Sequence, residues 1–106
     1  MKIAIMGATG VVGREMLNAL KEENIDVSKL KLLASKRSTG QKISFKDEIL
    51  TVEELKEDSF KGYDIVLGAT SNDLAKRYVS EIKKAGAIFI DNSSLLHYYL
   101  LHYSLK

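Results

Sequence analysis

No cysteine occurs in the 106 residues. That excludes disulfides, thiolate metal sites and a cysteine nucleophile within this chain. Proline and tryptophan are absent too, and only 8% of the residues are aromatic. No apolar run approaches the roughly 20 residues of a membrane-spanning helix, so no membrane partner is expected. No basic leader with a small-residue cleavage site opens the chain, so no signal peptide is read and a cytoplasmic location is expected. An excess of one charge is also lacking. Lys and Arg total 16 against 14 Asp and Glu, a formal net charge of +2. That is too weak and too evenly spread to predict a nucleic-acid partner. The length allows one modest domain with a single core.

What the chain does have is a glycine-rich loop in an informative place. Gly7-Ala8-Thr9-Gly10-Val11-Val12-Gly13 follows an apolar strand pattern, Lys2 to Met6, and precedes a helical one. A buried strand, a tight glycine turn and an opening helix form a site for a pyrophosphate. Gly7 permits the turn, Gly10 lets backbone approach the phosphates, and Gly13 lets the helix pack close. Thr9 adds a hydroxyl donor, and Val11 and Val12 supply free amides at the helix N-terminus. The spacing is G-x-x-G-x-x-G rather than the strict dinucleotide form, so the flanking strand and helix carry the inference.

Helical spacing of Val12, Met16, Ala19 and Leu20 predicts the first helix, ending near Glu23-Asn24. A second strand is expected over Leu30 to Ala34 and a polar loop over Ser35 to Gly40. Lys42 to Phe45 and Glu48 to Val52 alternate and read as a hairpin around Lys46-Asp47. The acid-rich stretch from Glu53 to Asp58 reads as a helical turn or loop. Ile65 to Leu67 reads as a buried strand. Ser71 or Asn72 caps a helix that runs through Ala85, with Leu74, Ala75, Tyr78, Val79 and Ile82 inward and Gly86 as its stop. Ala87 to Ile90 is the next strand, ending at Asp91-Asn92. Alternating strands and helices predict an α/β fold, a Rossmann-type, doubly wound and mainly parallel sheet. Its strand ends at Gly7, Ser35, Gly68 and Asp91 converge on one ligand site.

The loop after the second strand selects the dinucleotide. NAD sites carry an acid there, about twenty residues past the glycine loop, to bond the ribose hydroxyls. No acid stands at Leu33 to Ser35. The chain reads Ser35-Lys36-Arg37-Ser38-Thr39 instead. Cations with hydroxyls suit a 2′-phosphate, which Arg37 can bind bidentately, so NADP is the expected cofactor. Ala69 and Thr70 lie in a small polar loop expected along the cofactor. It reads equally as only the cap of the following helix. Asp91 reads equally as a turn-forming acid and is not assigned a catalytic role. His97 and His102 are five apart, a poor spacing for a metal on a helix or a strand. No Tyr-x-x-x-Lys pair exists, which argues against the reductases and epimerases built on it.

Together these segments resemble aspartate-semialdehyde dehydrogenases of the bacterial type. The resemblance rests on Met1 to Leu17, Leu32 to Gly40, Phe45-Lys46, Val52 to Leu55, Phe60 to Asp64 and Ala85 through Ser94. It covers residues 1–94, expected as the NADP-binding domain. The resemblance implies NADPH-dependent reduction of aspartyl phosphate to aspartate semialdehyde, in the lysine, methionine and threonine pathway. It places Thr9, Gly10, Val11 and Val12 on the pyrophosphate and Arg37, Ser38 and Ser35 on the 2′-phosphate. The wording of Ala69 to Asn72 departs from the family's usual Ser-Ala-Gly-Gly.

A larger departure begins at Leu95, where the family continues into an Ala-Phe-Arg run. Residues 95–106 are rich in Leu and Tyr, hold both His and contain no acid. A frameshifted, truncated or foreign sequence is the expectation there. The family's thiol nucleophile and histidine base have no match in this chain, so the chain alone is expected to be inactive. Two other readings fit the same residues. One is a stand-alone NADP-binding module without catalysis. The other is the cofactor domain of an N-acetyl-glutamyl-phosphate reductase. Exposed apolar surface or the tail would also favour a homo-oligomer.

Overall fold

The structure, a computed structural model, describes residues 1–91. Asn92, Ser93 and Ser94, the departure at Leu95, His97 and His102 lie outside the described residues. The elements in order are β1 (Lys2–Met6), α1 (Val11–Glu22), β2 (Lys29–Ala34), β3 (Lys42–Phe45), β4 (Glu48–Thr51), β5 (Glu53–Glu54), β6 (Ile65–Gly68), α2 (Asn72–Lys84) and β7 (Ile88–Asp91).

Five strands form one sheet in the order β5-β2-β1-β6-β7. Every neighbouring pair in it is parallel. The β3–β4 hairpin stands apart as an antiparallel pair. This is the α/β, doubly wound sheet expected from the alternation of strands and helices. Strand β1 is central, and Ala4, Ile5 and Met6 are all fully buried. Its side chains alternate between two cores, as a strand's period of two requires. Ile3 and Ile5 pack with Met16, Leu17, Leu20 and Leu32. Ala4 and Met6 pack with Leu33, Phe60, Tyr63, Val66, Tyr78 and Ile82. Each large side chain so buried contributes about 1.5–3 kcal/mol.

The buried stripe of α1 is Gly13, Met16, Leu17 and Leu20. Leu17 thus sits where the sequence pattern placed Ala19, which is only half-buried. Gly13 belongs to that face and packs on the turn at Gly7 and Ala8. The helix ends as expected, with Asn24 at a φ of 52°. In α2 the cap is Ser71, whose Oγ accepts from the Leu74 amide at 3.4 Å. Tyr78 and Ile82 are buried, with Leu74, Ala75 and Val79 half-buried beside them.

Two local expectations need correction. Glu53–Glu54 is a short parallel strand beside Leu33 and Ala34, not a helical turn or loop. The Leu55 amide donates to the Ala34 carbonyl at 2.8 Å and anchors it. The loop after β2 contains a tight helical turn at Lys36–Ser38. Because β5 covers only the last two residues of β2, the rest of that edge needs protection. Lys29 and Lys31 supply it, charged side chains being a common guard on open edges. Their ammonium groups lie 5.8 and 5.2 Å from the Tyr63 ring centre. Lys31 also donates to the Ser59 carbonyl at 3.0 Å. At the opposite edge, among the described residues, β7 pairs only with β6, and Ile88 is 64% exposed.

Tyr63 makes the stability of this domain sensitive to alkali. Burial, and secondarily the charge of Glu53, raise its phenol above the ordinary value of 10.0. A raised folded pKa favours the neutral form, so the contribution is complete below the unfolded value. It is lost as pH rises from about 10 through the folded value. Tyr63→Phe removes the ionisation. Urea midpoints should therefore fall with alkali more steeply in the wild type than in the variant. Parallel profiles from about pH 8 upward would refute this linkage.

Candidate functional site

The chain leaves β1 at Met6 and turns at Gly7, which has a φ of 81°. The amides of Gly7 and Ala8 both donate to the Leu33 carbonyl, at 2.8 and 3.1 Å. The Ala69 amide donates to the Met6 carbonyl at 2.8 Å. Backbone bonds thus tie the loop after β1 to the ends of β2 and β6. Asp91 at the end of β7 lies beside Gly68 in register. The loops therefore gather at the carboxyl ends of the strands. The connections diverge there too, with β2 on one side of β1 and β6 on the other. Such a switch point is where open parallel sheets bind ligands.

The glycines of the loop differ in what holds them. A Cβ on Gly7 would meet the Ala69 carbonyl oxygen at 2.6 Å and Thr70 Cγ2 at 2.9 Å. A Cβ on Gly13 would strike the Gly7 carbonyl oxygen and the Ala8 backbone, with Ala8 Cα at 2.8 Å. Both are fixed by the fold. Gly10 is not. Its backbone, φ −79° and ψ 175°, suits any residue. A Cβ there would find only the Gly7 oxygen, at an ordinary 3.7 Å. No atom of the described residues excludes alanine from Gly10, which among them faces open space.

The N-terminus of α1 begins at that space. Gly10 is its cap and provides no side-chain bond, and no acid stands in the first turn. The amides of Val11 and Val12 have no acceptor among the described residues. The Val11 side chain is 76% exposed. Thr9 is half-buried, and its carbonyl accepts from Arg14 Nε at 3.3 Å. The sequence reading missed Arg14. Its one available signal was its position, four residues after Gly10 and on the same helix face.

Strand β2 delivers the second loop. Ser35 follows it directly in extended conformation, and Lys36–Ser38 make a single tight turn. The Ser35 carbonyl accepts from the Ser38 amide at 2.9 Å and from the Thr39 hydroxyl at 3.3 Å. Thr39 is thus engaged in holding the turn. The hydroxyls of Ser35 and Ser38 and the guanidinium of Arg37 have no partner among the described residues. Ser35 and Arg37 are exposed and Ser38 is half-buried. The Gly40 amide donates to the Val52 carbonyl at 2.9 Å, which fastens the far end of the turn.

The third loop is plainer. Ala69 and Thr70 are half-buried against Gly7, and the Thr70 hydroxyl donates to the Ser71 carbonyl at 3.4 Å. Among the described residues no cluster of His, Cys, Asp or Glu is arranged to hold a metal. Nor is any described helix long and apolar enough to cross a membrane. The end of β2 and the loop after β6 thus both meet the glycine turn, through the Leu33 carbonyl and through Ala69 and Thr70. Among the described residues, the α1 N-terminus keeps unbonded amides, and Arg37 in the loop after β2 has no partner.

Comparison with known proteins agrees with this geometry. Residues 2–99 match the family described as semialdehyde dehydrogenase, NAD binding domain. An aspartate-semialdehyde dehydrogenase of Synechocystis sp. is 45% identical over 93 residues, which is 88% of this chain and 28% of that protein. The Bacillus subtilis enzyme of the same name is 44% identical over 92 residues, 87% of this chain and 27% of that protein. Aspartate semialdehyde dehydrogenase II of Vibrio cholerae superposes with a TM-score of 0.81 at 34% identity, over 85% of this chain and 29% of that one. A Candida albicans aspartate semialdehyde dehydrogenase solved with NADP shares the fold, with a TM-score of 0.66 at 24% identity, over 85% of this chain and 28% of that one. The chain spans little more than a quarter of the curated relatives it matches, 28% and 27% of the two named here. The chain belongs to the NAD-binding domain family of the semialdehyde dehydrogenases.

Proposed function

We propose that this chain is the NADP-binding domain of an aspartate-semialdehyde dehydrogenase, with residues 1–94 as the cofactor unit. The pyrophosphate lies over Gly10 and takes the amides of Val11 and Val12, with Thr9 donating its hydroxyl. The 2′-phosphate sits on Arg37, Ser38 and Ser35. Ala69 and Thr70 line the same crevice beside Gly7. NADPH supplies a hydride for reducing aspartyl phosphate to aspartate semialdehyde. The residues of this chain bind and orient the dinucleotide. A thiol nucleophile has to come from outside these 106 residues, which contain no cysteine.

The observation that carries this reading is the open space over Gly10. Packing among the described residues demands glycine at 7 and 13 but not at 10. A glycine that its own protein does not need fits a backbone that a ligand must approach closely. The test is NADPH titration of the chain and of Gly10→Ala, followed by nucleotide fluorescence. The variant should bind at least about tenfold more weakly and lose only ~1 kcal/mol or less of stability, the small penalty of alanine at a cap. An unmodified chain that does not bind NADPH would sink the proposal. Equal binding by Gly10→Ala would remove Gly10 from the site.

A further inference from the structure

Arg14 is the fourth residue of α1 and lies one turn beyond Gly10 on the same helix face. Its side chain runs back toward the N-terminus, as long helical side chains do. There Nε donates to the Thr9 carbonyl at 3.3 Å. Its remaining guanidinium donors have no partner among the described residues. Glu15, its neighbour in sequence, forms no ion pair with it.

Electrostatically the position is poor for the protein alone. A cation near the start of a helix opposes the macrodipole. No acid in the first turn of α1 offsets it. The single exposed bond to Thr9 gives the fold little in return. An anion over the first turn reverses that balance, because it is attracted by both the helix end and the guanidinium. The planar fork is suited to the task. Nε holds the loop while the free outer edge can take two phosphate oxygens.

We propose that Arg14 is a second cationic anchor of the dinucleotide. It binds the pyrophosphate through its Nη groups while Nε keeps the Thr9–Gly10 segment in place. This rests on the cofactor reading above but assigns a separate role. The pyrophosphate is common to NADPH and NADH. Loss of Arg14 therefore weakens both alike, whereas the 2′-phosphate group of residues distinguishes them.

The test measures dissociation constants for NADPH, NADH and adenosine 2′,5′-bisphosphate, which lacks the pyrophosphate link. The proteins are the unmodified chain, Arg14→Ala and Arg14→Lys. Arg14→Ala should raise the constants for NADPH and NADH by the same factor, about tenfold. It should affect the bisphosphate less. Arg14→Lys should recover part of the loss, since it keeps the charge without the fork. The thermal midpoint of Arg14→Ala should hold or rise, whereas a merely structural arginine would lower it. Constants unchanged within about twofold, or a loss confined to NADPH, would overturn the proposal. Failure of the unmodified chain to bind either dinucleotide would instead overturn the cofactor reading, and this proposal with it.

Discussion

Gly13→Ala is expected to destabilise the domain more than any other single methyl group added to the glycine loop. The added Cβ has no side chain to push aside. It strikes the Gly7 carbonyl oxygen, with Ala8 Cα at 2.8 Å and the Ala8 carbonyl carbon at 2.9 Å. These atoms are fixed in turn, because the Gly7 and Ala8 amides are bonded to Leu33. Relief therefore requires α1 to withdraw from the sheet. That would loosen Met16, Leu17 and Leu20 from Ile3 and Ile5. Alanine's better helix propensity returns about 1 kcal/mol. Overpacking against backbone costs about 3 kcal/mol or more, so a net loss of at least ~2 kcal/mol is expected. Against a total of roughly 5–15 kcal/mol for a domain this size, that is a large fraction. With a urea slope of about 1–3 kcal/mol/M, the midpoint should fall by about 1 M or more. A midpoint within about 0.2 M of the unmodified chain would show that the helix does not press on the turn as described. Gly10→Ala is the internal control, because the same methyl group there meets only an oxygen at 3.7 Å.

The contrast between these two glycines marks how far the sequence could be read. Glycine at 7, 10 and 13 was visible, and the strand before and the helix after made the loop a candidate phosphate site. The convergence of loops was also legible. Parallel strands all end on one side, so Gly7, Ser35, Gly68 and Asp91 had to meet. Nothing in the letters distinguishes a glycine required by packing from one that leaves room. That difference resides in the positions of Ala8 and Ala69, which come from the packing of α1 and β6 against β1.

Other omissions have similar causes. Glu53–Glu54 carries no strand signal, because two acids are poor strand formers and two residues show no period. It pairs through backbone bonds that the neighbouring β2 offers, and these bonds are indifferent to side-chain type. Arg14 escaped notice for a related reason. Its partner is a carbonyl, so no complementary residue in the sequence announces the bond. The hydroxyl of Thr39 was counted with those of Ser35 and Ser38, yet the turn at Lys36–Ser38 takes it. Leu17 was passed over because Val12, Met16, Ala19 and Leu20 also fit a helical stripe. The buried face is the one on which Gly13 packs against the Gly7–Ala8 turn.

Arg37→Ala should abolish most of the preference for NADPH over NADH while leaving NADH binding intact. The guanidinium has no partner among the described residues, so its removal breaks no bond among them. Surface changes of that kind alter stability by about 0.5 kcal/mol or less. Any loss of affinity is then a loss of contact with ligand. Hydrogen bonds to a charged phosphate contribute about 1.5–3 kcal/mol, a ten- to hundredfold change in the dissociation constant. Arg37 is exposed, so the effect belongs toward the lower end of that range and shrinks with salt. Arg37→Lys should restore charge but not the bidentate geometry, and should recover only part of the preference. Arg37→Asp goes further. It repels a 2′-phosphate and supplies an acceptor for ribose hydroxyls, as the acid of NAD sites does, so NADH should bind the variant more tightly than NADPH. The measurement is the ratio of the two dissociation constants at low and high salt. A ratio unmoved by Arg37→Ala would place the 2′-phosphate elsewhere. A parallel weakening of both dinucleotides would put Arg37 on the pyrophosphate, the role argued above for Arg14, and a double substitution of the two arginines would then show non-additive losses.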